Sequence, residues 1–378
     1  MSTRLRELLE GHVDRGTIPG GVTLLGRGDA CEVDAVGAMA VGGPAMRADA
    51  VMRIQSMTKP VTTVATLRHV QAGRLGLDDP IQRWLPELAD RRVVRSPGAD
   101  LDDTVPAHRP ITVRDLLTNA SGYGMVLADV PLAAAMREAG VEAGPEPPSR
   151  DAGEWLTRLA ALPLAHQPGD GFRYHHSFSI LGLLLARLSG RSLQDHLIES
   201  LFAPLGMVDT GLWVPLDRTD RLPAAYRHEG GRLVETEPAG GGFYAGPPPF
   251  DVAHGELVST AADLHRFARL LVDGGRHERR PFLDPDLVAA MTRDQVPDRA
   301  KTPDSFVPGF WEGTGWGFGG AVQLAGPHAG RYGWSGGQGT DFFVDPRDGT
   351  VAILLTQVEL GETMWPLLEE FQSAVESA

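Results

Sequence analysis

Leu5, Leu8, Leu9 and Val13 recur at helical spacing among charges, which predicts a helix over the first sixteen residues. Gly21 to Arg27 and Cys31 to Val36 then read as two strands joined at Gly28-Asp29. A short apolar piece, Val51 to Ile54, leads into Ser56. From Met57 the residues Val61, Val64, Leu67 and Val70 keep one helical stripe, which stops at Gly73. Helical patterns follow at Thr112–Thr118, Arg150–Leu162, Phe178–Leu188 and Leu193–Leu201. Pro- and Gly-rich connectors separate them, and Ala139 to Ser149 is expected to be a mobile surface loop. The last third returns to sheet, with strands at Gly317–Leu324, Thr340–Val344 and Val351–Thr356 and a turn over Asp345 to Gly349. Met364 to Val375 reads as a closing helix.

Strands therefore come from both ends of the chain and helices from its middle. That order predicts an α/β (α+β) protein, with an antiparallel sheet from both chain ends flanked by helices and an inserted, mostly helical lobe. The expected division is one domain, with residues 1–75 and 240–378 as the sheet-containing half and 76–239 as the helical half.

At 378 residues and 42% hydrophobic, the chain can bury a sizeable core. Its net charge of −14 disfavours nucleic acid and anionic membrane surface as partners. Cys31 is the single cysteine, which excludes an internal disulfide and a thiolate metal cluster. No run of about 18 apolar residues and no apolar leader with a cleavage site is present, so a cytoplasmic protein is expected. Basic residues number 35, yet Lys59 and Lys301 are the only lysines.

One of those lysines sits in Ser56-Met57-Thr58-Lys59, at a predicted strand-to-helix junction. Residues three apart share a helix face, so the Lys59 amine can reach the Ser56 hydroxyl. A serine alcohol needs a nearby base, and a desolvated lysine amine can act as one. The free N–H groups of the helix start also suit an oxyanion. The competing reading is an N-cap serine and a surface lysine. A second serine, in Gly333-Trp334-Ser335-Gly336-Gly337, matches the nucleophile elbow of α/β-hydrolases. That mechanism needs a histidine after the serine, and the last one, His328, precedes it. The stretch is read instead as an edge strand that lets a ligand approach the backbone.

The sequence resembles the serine β-lactamase and penicillin-binding-protein superfamily, class C-like and closest to the family VIII carboxylesterases. Ser56-Met57-Thr58-Lys59 stands for Ser-x-x-Lys, Tyr174-His175-His176 for Tyr-x-Asn, and Trp334-Ser335-Gly336-Gly337 for the Lys-Thr-Gly strand. The stretches Ile111 to Gly122 and Leu257 to Leu264 are also similar to it, and the match runs in order along nearly the whole chain. Two departures stand out: His176 replaces the asparagine, and Trp334 replaces the lysine that meets a β-lactam carboxylate.

The resemblance implies a β-lactamase-like fold with Ser56, Lys59 and Tyr174 as catalytic residues. It implies an oxyanion hole from the backbone N–H groups of Ser56 and Gly337. Trp334, Ser335, Gly336, His176 and Tyr123 are the expected substrate-binding residues. Tyr174 would carry protons, provided that the Lys59 ammonium favours its phenolate. Tyr123, Trp311, Trp316 and Phe318 serve an acyl pocket or the core equally well. His108, His166, His254 and His265 read as surface or outer residues. The histidine spacings give no zinc site, and no cofactor is expected.

The implied activity is a serine hydrolase acting on small carboxylic esters. Alternatives are an acyltransferase, a D-amino-acid amide or peptide hydrolase, or a weak β-lactamase of the same fold. A non-catalytic acyl-binding sensor is the rival of a different class. The expected partner is a small-molecule ester or amide, with the oligomeric state left open.

Overall fold

A computed structural model describes residues 2–28, 30–144 and 149–376. Seven strands form the main sheet: β1 (Gly20–Arg27), β2 (Ala30–Gly37), β3 (Thr314–Trp316), β4 (Ala321–Gln323), β5 (Tyr332–Gly336), β6 (Thr340–Asp345) and β7 (Thr350–Thr356). Their spatial order is β3-β4-β5-β6-β7-β1-β2, and every pairing is antiparallel. The two ends of the chain meet at β1 and β7, where Gly21 pairs with Thr356 and Arg27 with Thr350.

Both faces of that sheet are covered, which is why Val351-Ala352-Ile353-Leu354-Leu355 is an unbroken apolar run. Successive side chains point to opposite faces. Leu25, Phe343, Ala352 and Leu354 pack against α1 (Ser2–Asp14) and α5 (Trp365–Glu376) through Leu9, Leu368 and Phe371. Val22, Leu24, Phe342, Ile353 and Leu355 face the other way, onto Phe267 of α4 (Ala261–Val272) and the helical body. That body carries α2 (Thr58–Gln71) and α3 (His176–Ser189). Most of α2 is buried on all sides, and burial of its Val61–Leu67 stripe at ~25 cal/mol per Å² fixes the element that bears the lysine.

The antiparallel sheet, its flanking helices and its origin in both chain ends match the expectation. Three local readings need correction. The first half of the predicted strand Gly317–Leu324 is a turn and only Ala321–Gln323 is strand, because Gly319 at φ 78° reverses the chain while the buried Phe318 makes the turn look apolar. With β3 and β4 thus outside it, β5 lies inside the sheet rather than at its edge. The piece around Val51 contributes a two-residue strand, Met52–Arg53, paired with Val258–Ser259. Of the connector Ala139 to Ser149, residues 145–148 lie outside the described residues. Val141 within it is buried, with its carbonyl held by His176 Nε2 at 2.6 Å. Among the described residues no helix is long and apolar enough to cross a membrane.

Candidate active site

Ser56 lies in a 3₁₀ turn, Gln55–Met57, that runs straight into α2. The turn is fixed from several sides. Ile54 N–H donates to the Leu257 carbonyl at 3.0 Å, and Thr58 Oγ1 donates to the Gln55 carbonyl at 2.6 Å. Gln55 sits at φ 47°, an unusual conformation for a side chain with a Cβ, and its amide donates to Tyr244 Oη at 3.1 Å. The stretch Leu257 to Leu264 thus holds the serine segment and then caps α4 through Thr260.

One turn on, Lys59 is fully buried while Ser56 is half-buried. The amine Nζ lies 2.8 Å from Ser56 Oγ and donates to the His254 carbonyl. Burial drives its pKa well below the usual lysine value, against the opposing pull of Glu256. A neutral amine that gives one N–H to His254 can turn its lone pair to the Ser56 hydroxyl.

Tyr174 enters from the loop before α3. The stretch Ile111 to Gly122 positions it: Arg173 N–H donates to the Asn119 carbonyl at 2.8 Å, and Met125 N–H to the Tyr174 carbonyl at 2.8 Å. Gly124 lets the two chains approach, since a Cβ there would lie 2.3 Å from the Arg173 carbonyl oxygen. The ring lies under the amine, with Nζ 4.4 Å from its centroid. Burial pushes the phenol pKa up, with the Ser56 and Trp334 hydrogen bonds pulling weakly the other way. The phenolate required on the sequence reading is therefore not what this environment favours. Burial sets the pair as amine and phenol.

Strand β5 closes the opposite side. Trp334 Nε1–H donates to Tyr174 Oη at 2.7 Å, so the indole N–H is already engaged rather than offered to a ligand. Gly336 permits close contact with the serine turn, because a Cβ there would sit 2.2 Å from the Ile54 carbonyl oxygen. Gly337 lies beside Gln55, and its carbonyl accepts from Leu360 N–H at 2.8 Å. Aromatic rings continue the wall: Phe306, Trp316 and Trp334 all lie within 6 Å of the Tyr174 ring, centroid to centroid.

The structure thus brings Ser56, Lys59, Tyr174, Trp334, Gly336 and Gly337 together. It does not bring in three other expected residues. Ser335 faces the reverse side of β5, where its hydroxyl donates to Asp341 Oδ1 at 2.9 Å. Alternation along the strand accounts for that. His176 points away to the Val141 carbonyl and stacks on Trp155. Tyr123 is core, with its hydroxyl 3.5 Å from Arg91. Trp316 and Phe318 are fully buried.

Sequence reasoning missed the groups behind Lys59. His254, taken as a surface or outer residue, is buried, and so is Glu256. No local pattern marked them, because the chain bends over residues 253–255 and the contacts to Lys59 and Ser179 are long-range. No group of three or more His, Cys, Asp or Glu able to hold a metal occurs among the described residues.

A Beta-lactamase family model matches residues 5–372. Protein Rv1367c of Mycobacterium tuberculosis is 36% identical over 358 residues, covering 91% of this chain and 87% of its own. Esterase EstB of Burkholderia gladioli is 30% identical over 351 residues, covering 88% and 84% respectively. Among solved structures, EstCE1, described as a hydrolase with promiscuous acyltransferase activity, aligns with a TM-score of 0.80 at 27% identity. That alignment covers 99% of this chain and 98% of its own. The chain belongs to the β-lactamase family and has the β-lactamase-like fold.

Proposed function

We propose that the protein is a serine hydrolase that cleaves small carboxylic esters through an acyl-enzyme on Ser56. The observation that carries this is the buried Lys59 amine, 2.8 Å from a half-buried serine hydroxyl. The esterase among its relatives supports the same reading. Lys59 takes the Ser56 proton as Oγ attacks the ester carbonyl. The backbone N–H groups of Ser56 and Gly337 receive the oxyanion, at about 3–4 kcal/mol for a single donor. Tyr174 Oη accepts from Trp334, which leaves its own O–H free to protonate the departing alkoxide. The Lys59 ammonium then restores the phenol. Water adds to the acyl carbonyl as Lys59 takes its proton, and Lys59 returns that proton to Ser56 Oγ as the acid leaves. A cytoplasmic site of action is part of the proposal, in keeping with an acidic chain that has one cysteine.

A second reading, acyl transfer to an alcohol or amine, is favoured by the transferase activity in the description of EstCE1. It differs only in which nucleophile meets the acyl-enzyme. Stopped-flow kinetics with a short-chain p-nitrophenyl ester separate the cases. The expected record is a burst of nitrophenol followed by steady turnover, and none of either in Ser56→Ala. A stoichiometric burst without turnover would make the protein a sensor, and an active Ser56→Ala would remove Ser56 from the role. Added alcohol that diverts product from acid to new ester would mark a transferase.

A further inference from the structure

His254-Gly255-Glu256 runs through a bend over residues 253–255, just before Leu257, the residue that holds the serine turn. The fold lays this piece against the end of Lys59. The His254 carbonyl accepts from Lys59 Nζ, and its ring is tied at both nitrogens. Nε2 lies 3.1 Å from Glu256 Oε1, and Nδ1 lies 2.7 Å from Ser179 Oγ on α3. A carboxylate only accepts, so Nε2 carries the ring proton and Ser179 donates to Nδ1. The His175 ring lies 3.9 Å away, centroid to centroid and tilted by 41°, with its residue held at φ 98°. Beyond Ser179 and His254 lies a cavity of about 260 Å³. Among the described residues, hydrogen bonds hold the ring on that side.

We propose that His254 and Glu256 are positioning residues for Lys59. The Glu256 carboxylate sets how readily the amine takes the Ser56 proton, and the anchored His254 carbonyl aims the lone pair at Ser56 Oγ. This rests on Lys59 being the base. The titratable groups that face the amine are Tyr174, His175, His254 and Glu256, and Glu256 is the one whose charge favours the ammonium. Burial holds His175 neutral and Tyr174 protonated, so neither replaces that charge.

The sign of the effect follows. An anion near Nζ favours the ammonium and opposes burial, so its removal makes the amine lose its proton more readily. Glu256→Gln should move the acid limb of kcat/KM for a neutral ester to lower pH by about one unit. Glu256→Asp keeps the charge and should stay near wild type. The pH dependence of Ser56 labelling by a fluorophosphonate, in which the serine oxygen displaces fluoride from phosphorus, should show the same shift. A limb that does not move, or an equal loss at every pH, would overturn the proposal, since a purely structural role gives that pattern. An active Lys59→Ala would instead overturn the base assignment on which it rests. If Glu256→Gln does not fold, Ser179→Ala carries the test. It frees one edge of the His254 ring and should lower kcat roughly threefold to tenfold with KM unchanged. An unaltered kcat there would count against the proposal.

Discussion

The indole Nε1–H of Trp334 donates to Tyr174 Oη at 2.7 Å, and this one contact decides which way the phenol proton faces. An indole can only donate, so the phenol oxygen accepts from it and its hydrogen turns toward Ser56. Trp334→Phe keeps an aromatic ring and removes the donor. A neutral hydrogen bond is worth about 0.5–1.5 kcal/mol, so kcat should fall roughly twofold to tenfold with little change in KM. Steady-state kinetics on a p-nitrophenyl ester check this, and a change confined to KM would mean that Trp334 only touches substrate.

Trp334 also bears on substrate charge. The position offers an apolar face and no cation, whereas a charge-assisted bond to a carboxylate contributes about 1.5–3 kcal/mol. Neutral short-chain esters should be turned over well and a chromogenic cephalosporin poorly. The ratio of the two kcat/KM values is the measurement, and efficient cephalosporin hydrolysis would make β-lactamase the better description.

Lys59→Ala and Tyr174→Phe should each cost roughly 10²–10⁴-fold in kcat. If both serve one proton path, the double variant should lose less than about tenfold more. Fully additive losses would separate their roles.

Ser335→Ala tests the second serine. It removes a donor from Asp341, which is buried and whose pKa burial already raises, while Gln372 remains at 2.9 Å. Stability should fall by about 1–3 kcal/mol, as for a lost bond to a buried charged group. Ester kcat/KM should stay within about threefold, a change below 1 kcal/mol. Denaturant melts and kinetics on the same preparation give both numbers.

Buried histidines set the acid tolerance of the fold. His69 and His196 lie with their Nε2 atoms 3.0 Å apart, a contact that needs at least one neutral ring. Burial, and then His196, hold the pKa of His69 down at about 4, and burial brings His166 and His176 to about 4 as well. The unfolded chain takes up these protons near pH 6.5 and the folded one does not. Stability is therefore full above that pH and declines as pH falls from 6.5 toward 4, by up to about 1.4 kcal/mol per pH unit for each group. Calorimetric Tm should drop steadily over that interval, and a flat Tm between pH 7 and pH 5 would contradict this reading.

Much of the fold was legible because its periodicities are strong. The run from Val351 to Leu355 reads as a strand, bounded by the turn before it, and the stripe from Met57 to Val70 reads as a helix. The hairpin of β3 and β4 was hidden because Phe318, an apolar residue in the turn, bridges two strand patterns. At the site, Ser56 and Lys59 were readable since their contact is local, one helical turn apart. Tyr174 and Trp334 came through motif resemblance, and the sequence could not show that each meets the other. Ser179, His254 and Glu256 were invisible as a group, because only the packing of α3 against the 254–257 segment brings them together.

The pairing of β1 with β7 bears on how the protein is made. Gly21 must wait for Thr356 before the main sheet can close, so this pairing forms only after the chain between them has been made. Until then the emerging β1–β2 hairpin has one unpaired flank, a template for stray strand pairing. The helical body, whose contacts are nearer in sequence, can assemble meanwhile and present α4 as the surface onto which the sheet later docks. Ordering of Ser56, wedged between that body and β5, is thus coupled to closure of the sheet.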